Sequence, residues 1–211
     1  MLELLAPAGN LDAVIAAVQN GADAVYMGFG DGFNARRSAD NFTRESFAKA
    51  VRYCHIRGCK VYVTLNTLVG DREMEAAAAL AQQASDAGAD AILVQDLGLA
   101  RVLRDALPDI PLHASTQMSI HNLAGVEAAA EMGITRAVLA RELSLEQIRF
   151  ISQHASIETE AFVHGALCFC YSGQCYMSAL IGRRSGNRGA CAQPCRMQYS
   201  MGGRMDEYPL S

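Results

Sequence analysis

A chain of 211 residues, 51% of them hydrophobic, is long enough to form one globular domain with a sizeable core. No apolar run approaches the ~20 residues of a membrane-spanning helix, and the N-terminal sequence MLELLAPAGN carries an acid, Glu3, where a secretory signal would be basic. These features exclude a membrane span and favour a cytoplasmic protein, and the net charge of −4 argues weakly against a nucleic-acid partner for the chain as a whole.

Short β-rich runs alternate with runs of helical periodicity along the chain, which is typical of a parallel sheet wrapped by helices. Apolar residues recur at the i, i+3, i+4, i+7 spacing in 11–18 and again in 47–54, as on one buried helix face. The pattern predicts seven strands, which are Glu3–Ala6, Ala24–Gly28, Lys60–Leu65, Ala91–Val94, Leu112–Ala114, Ala137–Ala140 and Glu158–Val163.

Glycines lie between a predicted helix and the strand that follows it. Gly21 opens the run GADAVY and Gly88 opens the related run GADAIL, and each glycine can end a helix before the next strand. The dinucleotide-binding fingerprint G-x-G-x-x-G is absent. An α/β fold of the TIM-like (β/α)8 barrel type is therefore predicted, incomplete because only seven strands are found, and the chain is expected to be part of a longer protein. The predicted organisation is 1–164 for the barrel units, 165–205 for a Cys- and Arg-rich segment and 206–211 for a tail.

Residues that directly follow the carboxyl ends of the strands form the functional face of a β/α barrel. At these positions the sequence is polar where a core would be apolar, which predicts a polar mouth, although any single one of these residues can instead be a loop or capping residue. The set is Asn34, Arg36, Arg37, Asn66, Gln95, Asp96, Ser115, Gln117, His121, Arg141, Glu142 and His164.

The Cys- and Arg-rich segment is unusual in both charge and thiol content. Five of the seven cysteines lie within 28 residues, at 168, 170, 175, 191 and 195. No Asp or Glu occurs from 161 to 205, where five arginines give a formal +5, against −7 for residues 1–160. Such a basic face can attract an anionic substrate or RNA phosphate, although arginines on a solvated loop would give the same pattern.

Cysteine clusters in a reducing cytoplasm indicate a metal or redox site rather than disulfides. Structural zinc sites usually pair ligands two to four residues apart. Cys191 and Cys195 are four residues apart, but Cys168 and Cys175 are seven apart. Iron–sulfur ligation tolerates varied spacing, so a cluster is favoured over zinc, while zinc and the absence of a metal stay open as alternatives.

The run E-x-F-x-x-G-A-L-C followed by G-x-C-x-M-S, from Glu160 to Ser178, resembles the signature of the U32 peptidase family, the collagenase-like proteases. LLAPAGN from Leu4, GADAVY from Gly21 and RELS from Arg141 also match, so the resemblance covers essentially the whole chain. The later run SGNRGACAQPCR, 185–196, is similar to family members that hydroxylate RNA.

The resemblance to those members implies a 4Fe-4S iron–sulfur cluster and an rRNA or tRNA partner, with prephenate as the oxygen-donating co-substrate. The cluster ligands of the family correspond to Cys168, Cys175 and Cys191. Cys195 is the candidate within this chain for the fourth ligand, since some relatives use a cysteine well downstream.

The first functional hypothesis is an iron–sulfur-dependent RNA base hydroxylase whose mouth holds a small anionic co-substrate. Arginine side chains can clamp carboxylates through forked hydrogen bonds, and the other polar residues of the mouth would complete the substrate site. The residues assigned to this site are Arg36, Arg37, Asn66, Gln117, His121 and Arg141.

Two other functions are kept as alternatives. A peptidase, as the family name states, needs a nucleophile with a base or a metal-activated water. Glu160, His164 and Ser178 are the candidate catalytic residues, although no spacing forces them together and Glu160 can equally be a barrel-interior charge paired with an arginine. The third hypothesis is a non-catalytic RNA-binding module.

Overall fold

The computed structural model describes residues 2–30, 32–35 and 41–208. Its main feature is one sheet of seven parallel strands in sequence order. These strands are β1 Leu5–Pro7, β2 Ala24–Met27, β3 Lys60–Leu65, β4 Ala91–Val94, β5 Leu112–Ala114, β6 Arg136–Val138 and β7 Glu158–Glu160. The helices are α1 Leu11–Gln19, α2 Arg44–His55, α3 Met74–Asp86, α4 Leu97–Ala106, α5 Leu123–Glu131, α6 Leu145–His154 and α7 Met177–Gly182. The predicted incomplete β/α barrel is confirmed.

Side-chain caps fix where most of these helices begin. Asn10, Thr43, Asn122 and Ser144 each accept a hydrogen bond from a backbone N–H of the first turn, a contact that contributes about 1 kcal/mol. Asp96 caps α4 in the same way, so this polar residue of the predicted mouth is a helix cap. Within the described residues, no helix has both the length and the apolar character needed to cross a membrane.

The strand β7 is shorter than the sequence predicts. Its last residue, Glu160, is the register partner of Val138, which ends β6. Residues 161–163 therefore have no neighbouring strand to pair with, and Val163 is 92% exposed. The chain leaves the sheet at Glu160 rather than at Val163 because the adjacent strand stops.

An antiparallel hairpin follows the Cys- and Arg-rich segment and was not predicted. Its strands are β8 Tyr199–Met201 and β9 Arg204–Glu207, so β9 continues past residue 205, where the segment was expected to end. Gly202 and Gly203 connect them with φ values of 58° and 81°. Two positive φ angles in succession form the tight turn that joins hairpin strands, and the Gly-Gly pair was the available sequence signal.

Alternate residues of the strands face two different environments. Val61 and Val63 of β3 belong to the apolar layer between the sheet and the helices, whereas Tyr62 points into the barrel interior with Ala24 and Val138. This period of two is the expected consequence of strand geometry. The helices thus cover one face of the sheet, and the other face encloses a small interior.

A charged network occupies the interior near the amino ends of the strands. The Arg136 side chain, 9% exposed, pairs with Glu3 and donates from Nε to Glu158 at 2.8 Å. Tyr62 also donates to Glu3, at 2.8 Å. Burial would raise the pKa of Glu3, but the hydrogen bonds from Arg136, Lys60 and Tyr62 outweigh it and lower the pKa to about 2. The network holds β1, β3, β6 and β7 together at the end opposite the predicted mouth.

Candidate functional site

The Cys- and Arg-rich segment, 165–205, is fixed across the carboxyl end of the sheet at two points. Ser172 is fully buried, and both its backbone N–H and its hydroxyl donate to one carboxylate oxygen of Glu142, at 2.5 and 3.0 Å. Arg188 forms a two-pronged ion pair with Glu73, with one contact of 2.8 Å. Since Glu73 follows β3 and Glu142 follows β6, the segment 165–205 bridges the mouth that the sequence predicts, and we also call it the bridging segment.

A hydrogen-bonded network lines the mouth below this segment. Asn66 accepts from the backbone N–H of Ala35 at 2.8 Å and donates to the Ser115 hydroxyl at 3.1 Å. Ser115 in turn accepts from the backbone N–H of Gln117 at 3.3 Å, and Gln95 donates to the Gln117 carbonyl at 3.5 Å. The Oε1 atom of Gln95 is buried and has no hydrogen-bond partner among the described residues. An acceptor of this kind can receive a hydrogen bond from a bound ligand.

His121 and Glu142 form a second polar group at the mouth. His121 Nδ1 lies 2.6 Å from the carbonyl oxygen of Ser119, so Nδ1 is assigned as the protonated nitrogen. Nε2 lies 3.3 Å from Glu142 Oε2, in ion-pair range but without hydrogen-bond geometry. Burial would raise the Glu142 pKa, yet hydrogen bonds from its own backbone and from Ser172, with the charge of His121, hold it below its usual value. Nε2 is buried beside this carboxylate, so the two groups can exchange a proton with each other.

Arg141 faces the Cys- and Arg-rich segment. Its Nε donates to the Ser172 hydroxyl at 3.3 Å, its Nη2 to Cys168 Sγ at 3.2 Å and its Nη1 to the Ala166 carbonyl at 3.5 Å. These contacts tie the loop after β6 to the first cysteine of the predicted cluster site. Arg36 and Arg37, the other predicted carboxylate clamps, lie outside the described residues.

All seven cysteines are free thiols, and five of them lie on the bridging segment. Cys168 and Cys191 are exposed, while Cys175 and Cys195 are partly exposed. Cys191 Sγ accepts a hydrogen bond from the backbone N–H of Gln193 at 3.4 Å. Free thiols with N–H and guanidinium donors suit a cluster chemically. However, in the part of the chain that the structure describes, no three His, Cys, Asp or Glu side chains converge closely enough to hold a metal ion.

The three candidate peptidase residues occupy different environments. Ser178 is buried and accepts a hydrogen bond from the Ala192 backbone at 2.9 Å, which positions the loop carrying Cys191. His164 is exposed. Glu160 lies in the barrel interior, 3.6 Å from Arg136, a distance of an ion pair rather than a hydrogen bond. No hydrogen bond joins any two of the three within 2–30, 32–35 and 41–208, so no nucleophile–base pair is assembled.

Sequence reasoning missed Ser172, and it assigned Gly173 to the family signature without predicting that this glycine packs against the barrel. Ser172 connects Glu142 and Arg141 to the segment, and Gly173 lies against the Gln117 carbonyl with a φ of +74°. The Ser-Gly dipeptide signals a turn. This signal does not predict which part of the chain the turn packs against. In the structure its partners are Glu142 and Ser119, in loops about 30 to 55 residues earlier in the chain.

We expect Glu160→Gln to stabilise the protein above neutral pH by about 1–3 kcal/mol. Burial raises the Glu160 pKa from 4.5 to about 7, with Arg136 only partly opposing it. The folded state therefore binds this proton more tightly than the unfolded state. Proton binding by Glu160 therefore stabilises the wild-type fold fully below pH 4.5, and this contribution is lost as the pH rises through about 7. Urea unfolding at about pH 5 and about pH 8.5 measures the effect.

The control for this variant is Glu131→Gln, which neutralises an exposed carboxylate at the end of α5. It should leave the difference in unfolding free energy between the two pH values unchanged. If the unfolding free energies of wild type and Glu160→Gln instead change by the same amount between about pH 5 and about pH 8.5, Glu160 does not titrate as its burial requires.

The comparisons with known proteins agree with the motifs. The model of Peptidase family U32 matches residues 9–209. The 23S rRNA 5-hydroxycytidine C2501 synthase of Escherichia coli (strain K12) is 46% identical over 200 residues, which are 95% of this chain and 30% of that protein. The tRNA hydroxylation protein P1 of Bacillus subtilis (strain 168) is 41% identical over 199 residues, 94% of this chain and 47% of that protein.

A solved structure shows the same fold. The U32 peptidase Mk0906 superposes with a TM-score of 0.64 at 16% sequence identity, covering 76% of this chain and 68% of that one. The chain spans less than half the length of the two curated relatives above. Because the family model covers nearly all of its residues, the chain belongs to peptidase family U32.

Proposed function

We propose that this chain is the barrel and cluster-binding part of an enzyme that hydroxylates a base of rRNA or tRNA in the cytoplasm. The observation that carries the proposal is the position of the free thiols. The segment that bears them is held across a polar mouth by Ser172 and Arg188, with Cys168 in contact with Arg141 from the barrel. Two similar members of the family are named for hydroxylation of rRNA and tRNA.

The proposed ligands of a 4Fe-4S cluster are Cys168, Cys175, Cys191 and Cys195. A Cβ atom placed on Gly186 would lie 3.7 Å from the Cβ of Cys191 and 4.0 Å from the carbonyl oxygen of Cys175, so the loops of these two cysteines already adjoin. Arg196 donates to the Leu167 carbonyl at 2.9 Å, which joins the chain beside Cys195 to the chain beside Cys168. Binding would draw the four thiols together, and the bound cluster would supply electron transfer.

The residues of the mouth would bind and orient the reactants. His121 would exchange a proton with the Glu142 carboxylate through Nε2, which is buried beside that carboxylate. Gln95 Oε1 would accept a hydrogen bond from the base or from the co-substrate. The co-substrate is a small anion, with prephenate as the candidate, held by arginines at the mouth.

Among the residues that the structure describes, nothing favours the peptidase, because Glu160, His164 and Ser178 do not contact one another. A purely RNA-binding module would need neither iron nor turnover. One genetic experiment, combined with a metal analysis, distinguishes the hydroxylase from the peptidase and from the RNA-binding module.

We expect deletion of the gene to remove a hydroxylated nucleoside from rRNA or tRNA and the wild-type gene to restore it. Cys175→Ala should fail to restore it and should lose iron when the protein is purified without oxygen, because a cluster site needs each of its thiolates. Mass spectrometry of digested RNA and iron and sulfide analysis are the measurements.

Cys170→Ala is the matched control, since it removes a neighbouring thiol that is not a proposed ligand. It should retain both the iron and the modification. Stoichiometric zinc without iron would exclude the cluster, and an unchanged RNA together with cleavage of gelatin would establish the peptidase instead.

A further inference from the structure

Aromatic side chains are concentrated on the exposed surface at and near the start of the bridging segment. Four of them are between 47% and 66% exposed. They are Phe162, Phe169, Tyr171 and Tyr176, which we call the aromatic patch. In the rest of the described chain the exposed aromatic side chains are Phe150 and Tyr208. Aromatic rings gain free energy when they leave water, so such a concentration indicates a surface that a partner covers.

The aromatic patch is accompanied by arginines without carboxylate partners. Arg183, Arg184 and Arg196 are exposed, and no Asp or Glu lies within ion-pairing distance of them among the described residues. Arg184 and Arg196 each donate to a backbone carbonyl, which fixes their direction while leaving their charge uncompensated. Because 161–205 also contains no acidic residue, the partner of this surface is expected to be an anion.

We propose that the aromatic patch binds an unpaired segment of RNA, whose bases stack on the rings while its phosphates pair with Arg183 and Arg184. This inference rests on the proposed function and names the form of RNA that it requires. Duplex RNA would satisfy the arginines but would keep its bases inside the helix. An apolar protein partner would cover the rings but not the charges. Unpaired RNA uses both features, since aromatic stacking and backbone neutralisation together are how proteins hold single strands.

Tyr171 connects the aromatic patch to the mouth. Its ring meets His121 edge-on, with 5.6 Å between the ring centroids. The next residue, Ser172, is anchored by Glu142, so the backbone that carries Tyr171 is fixed relative to the barrel. A base stacked on Tyr171 would therefore lie at the edge of the mouth, next to the His121 ring. The aromatic patch would thus deliver one unpaired base to the site of reaction.

The test is fluorescence anisotropy of the full chain with a labelled unstructured RNA of about 12 nucleotides, alone and annealed to its complement. We expect the unpaired RNA to bind at least about 10-fold more tightly than the duplex. Tyr171→Ala and Tyr176→Ala should each weaken binding about 5- to 100-fold, whereas Tyr171→Phe keeps the ring and should retain most of the affinity. Replacing Arg183 and Arg184 together by Gln should lower the slope of log Kd against the logarithm of the salt concentration by about 1.4, as expected for the loss of two phosphate contacts.

Phe150→Ala is the matched control, because Phe150 is 55% exposed on α6, outside the segment. It should leave RNA binding unchanged. Equal binding of duplex and unpaired RNA, or equal effects of Tyr171→Ala and Phe150→Ala, would overturn the proposal, as would self-association of the chain that Tyr176→Ala abolishes. The assay needs no turnover, so RNA binding without hydroxylation would contradict the proposed function and not this inference.

Discussion

Arg136→Met is expected to lower the free energy of unfolding by about 3–5 kcal/mol. The Arg136 side chain is 9% exposed and contacts Glu3, Glu158 and Glu160. Methionine fills much of the same volume but supplies no charge, so Glu3, whose side chain is 22% exposed, would keep only Lys60 and Tyr62 as partners among the described residues. Glu160 would take up a proton, because Arg136 is the contact that lowers its pKa. The cost of an uncompensated buried carboxylate exceeds what the ion pairs themselves contribute.

Chemical unfolding at neutral pH measures this loss, and Arg101→Met is the matched control. Arg101 pairs with Asp105 one turn along α4, and both side chains are largely exposed, so its removal should cost less than about 1 kcal/mol. Adding Glu3→Gln to Arg136→Met should recover part of the stability, because it removes the carboxylate charge that has lost its buried arginine partner. Equal effects of the two arginine substitutions would mean that the interior network is screened by water.

The barrel could be predicted because its signals are local. Strand and helix periodicities extend over fewer than about 20 residues, and the predicted bounds of β3, β4 and β5 agree with the structure. The end of β7 could not be found in this way. It depends on where β6 stops, and a strand's length is set by its neighbour as well as by its own sequence.

The site was only partly predictable because its contacts are long-range. The sequence placed Asn66, Gln117 and His121 at the mouth, where the structure has them, since each follows a strand. By contrast, Arg136 and Glu3 are 133 residues apart, and nothing in the local pattern of either predicts that they meet. The same holds for the bridging segment, whose composition indicates a ligand set but not how closely the thiols approach.

Gly173→Ala is expected to release the bridging segment from the barrel, with a local cost of about 2–5 kcal/mol. A Cβ atom at this position would lie 2.0 Å from the carbonyl oxygen of Gln117 and 2.8 Å from its carbonyl carbon. Gln117 cannot retreat easily, because its N–H donates to Ser115 and its carbonyl accepts from Gln95. The φ of +74° adds a second cost, since this region disfavours every side chain with a Cβ.

Gly58→Ala separates these two costs. Gly58 has a φ of +72°, and no atom lies within 4 Å of its Cβ position, so alanine there meets the backbone strain alone, about 1–2 kcal/mol. Gly173→Ala adds the collision, and local opening limits the total because the segment can detach while the barrel stays folded. Trypsin cleavage at Arg183 and Arg184 is therefore the sensitive measurement. It should accelerate by about 10-fold or more in Gly173→Ala and stay at the wild-type rate in Gly58→Ala, whose strain lies in the barrel. Equal cleavage rates in the two variants would show that the contact between Gly173 and Gln117 does not hold the segment in place.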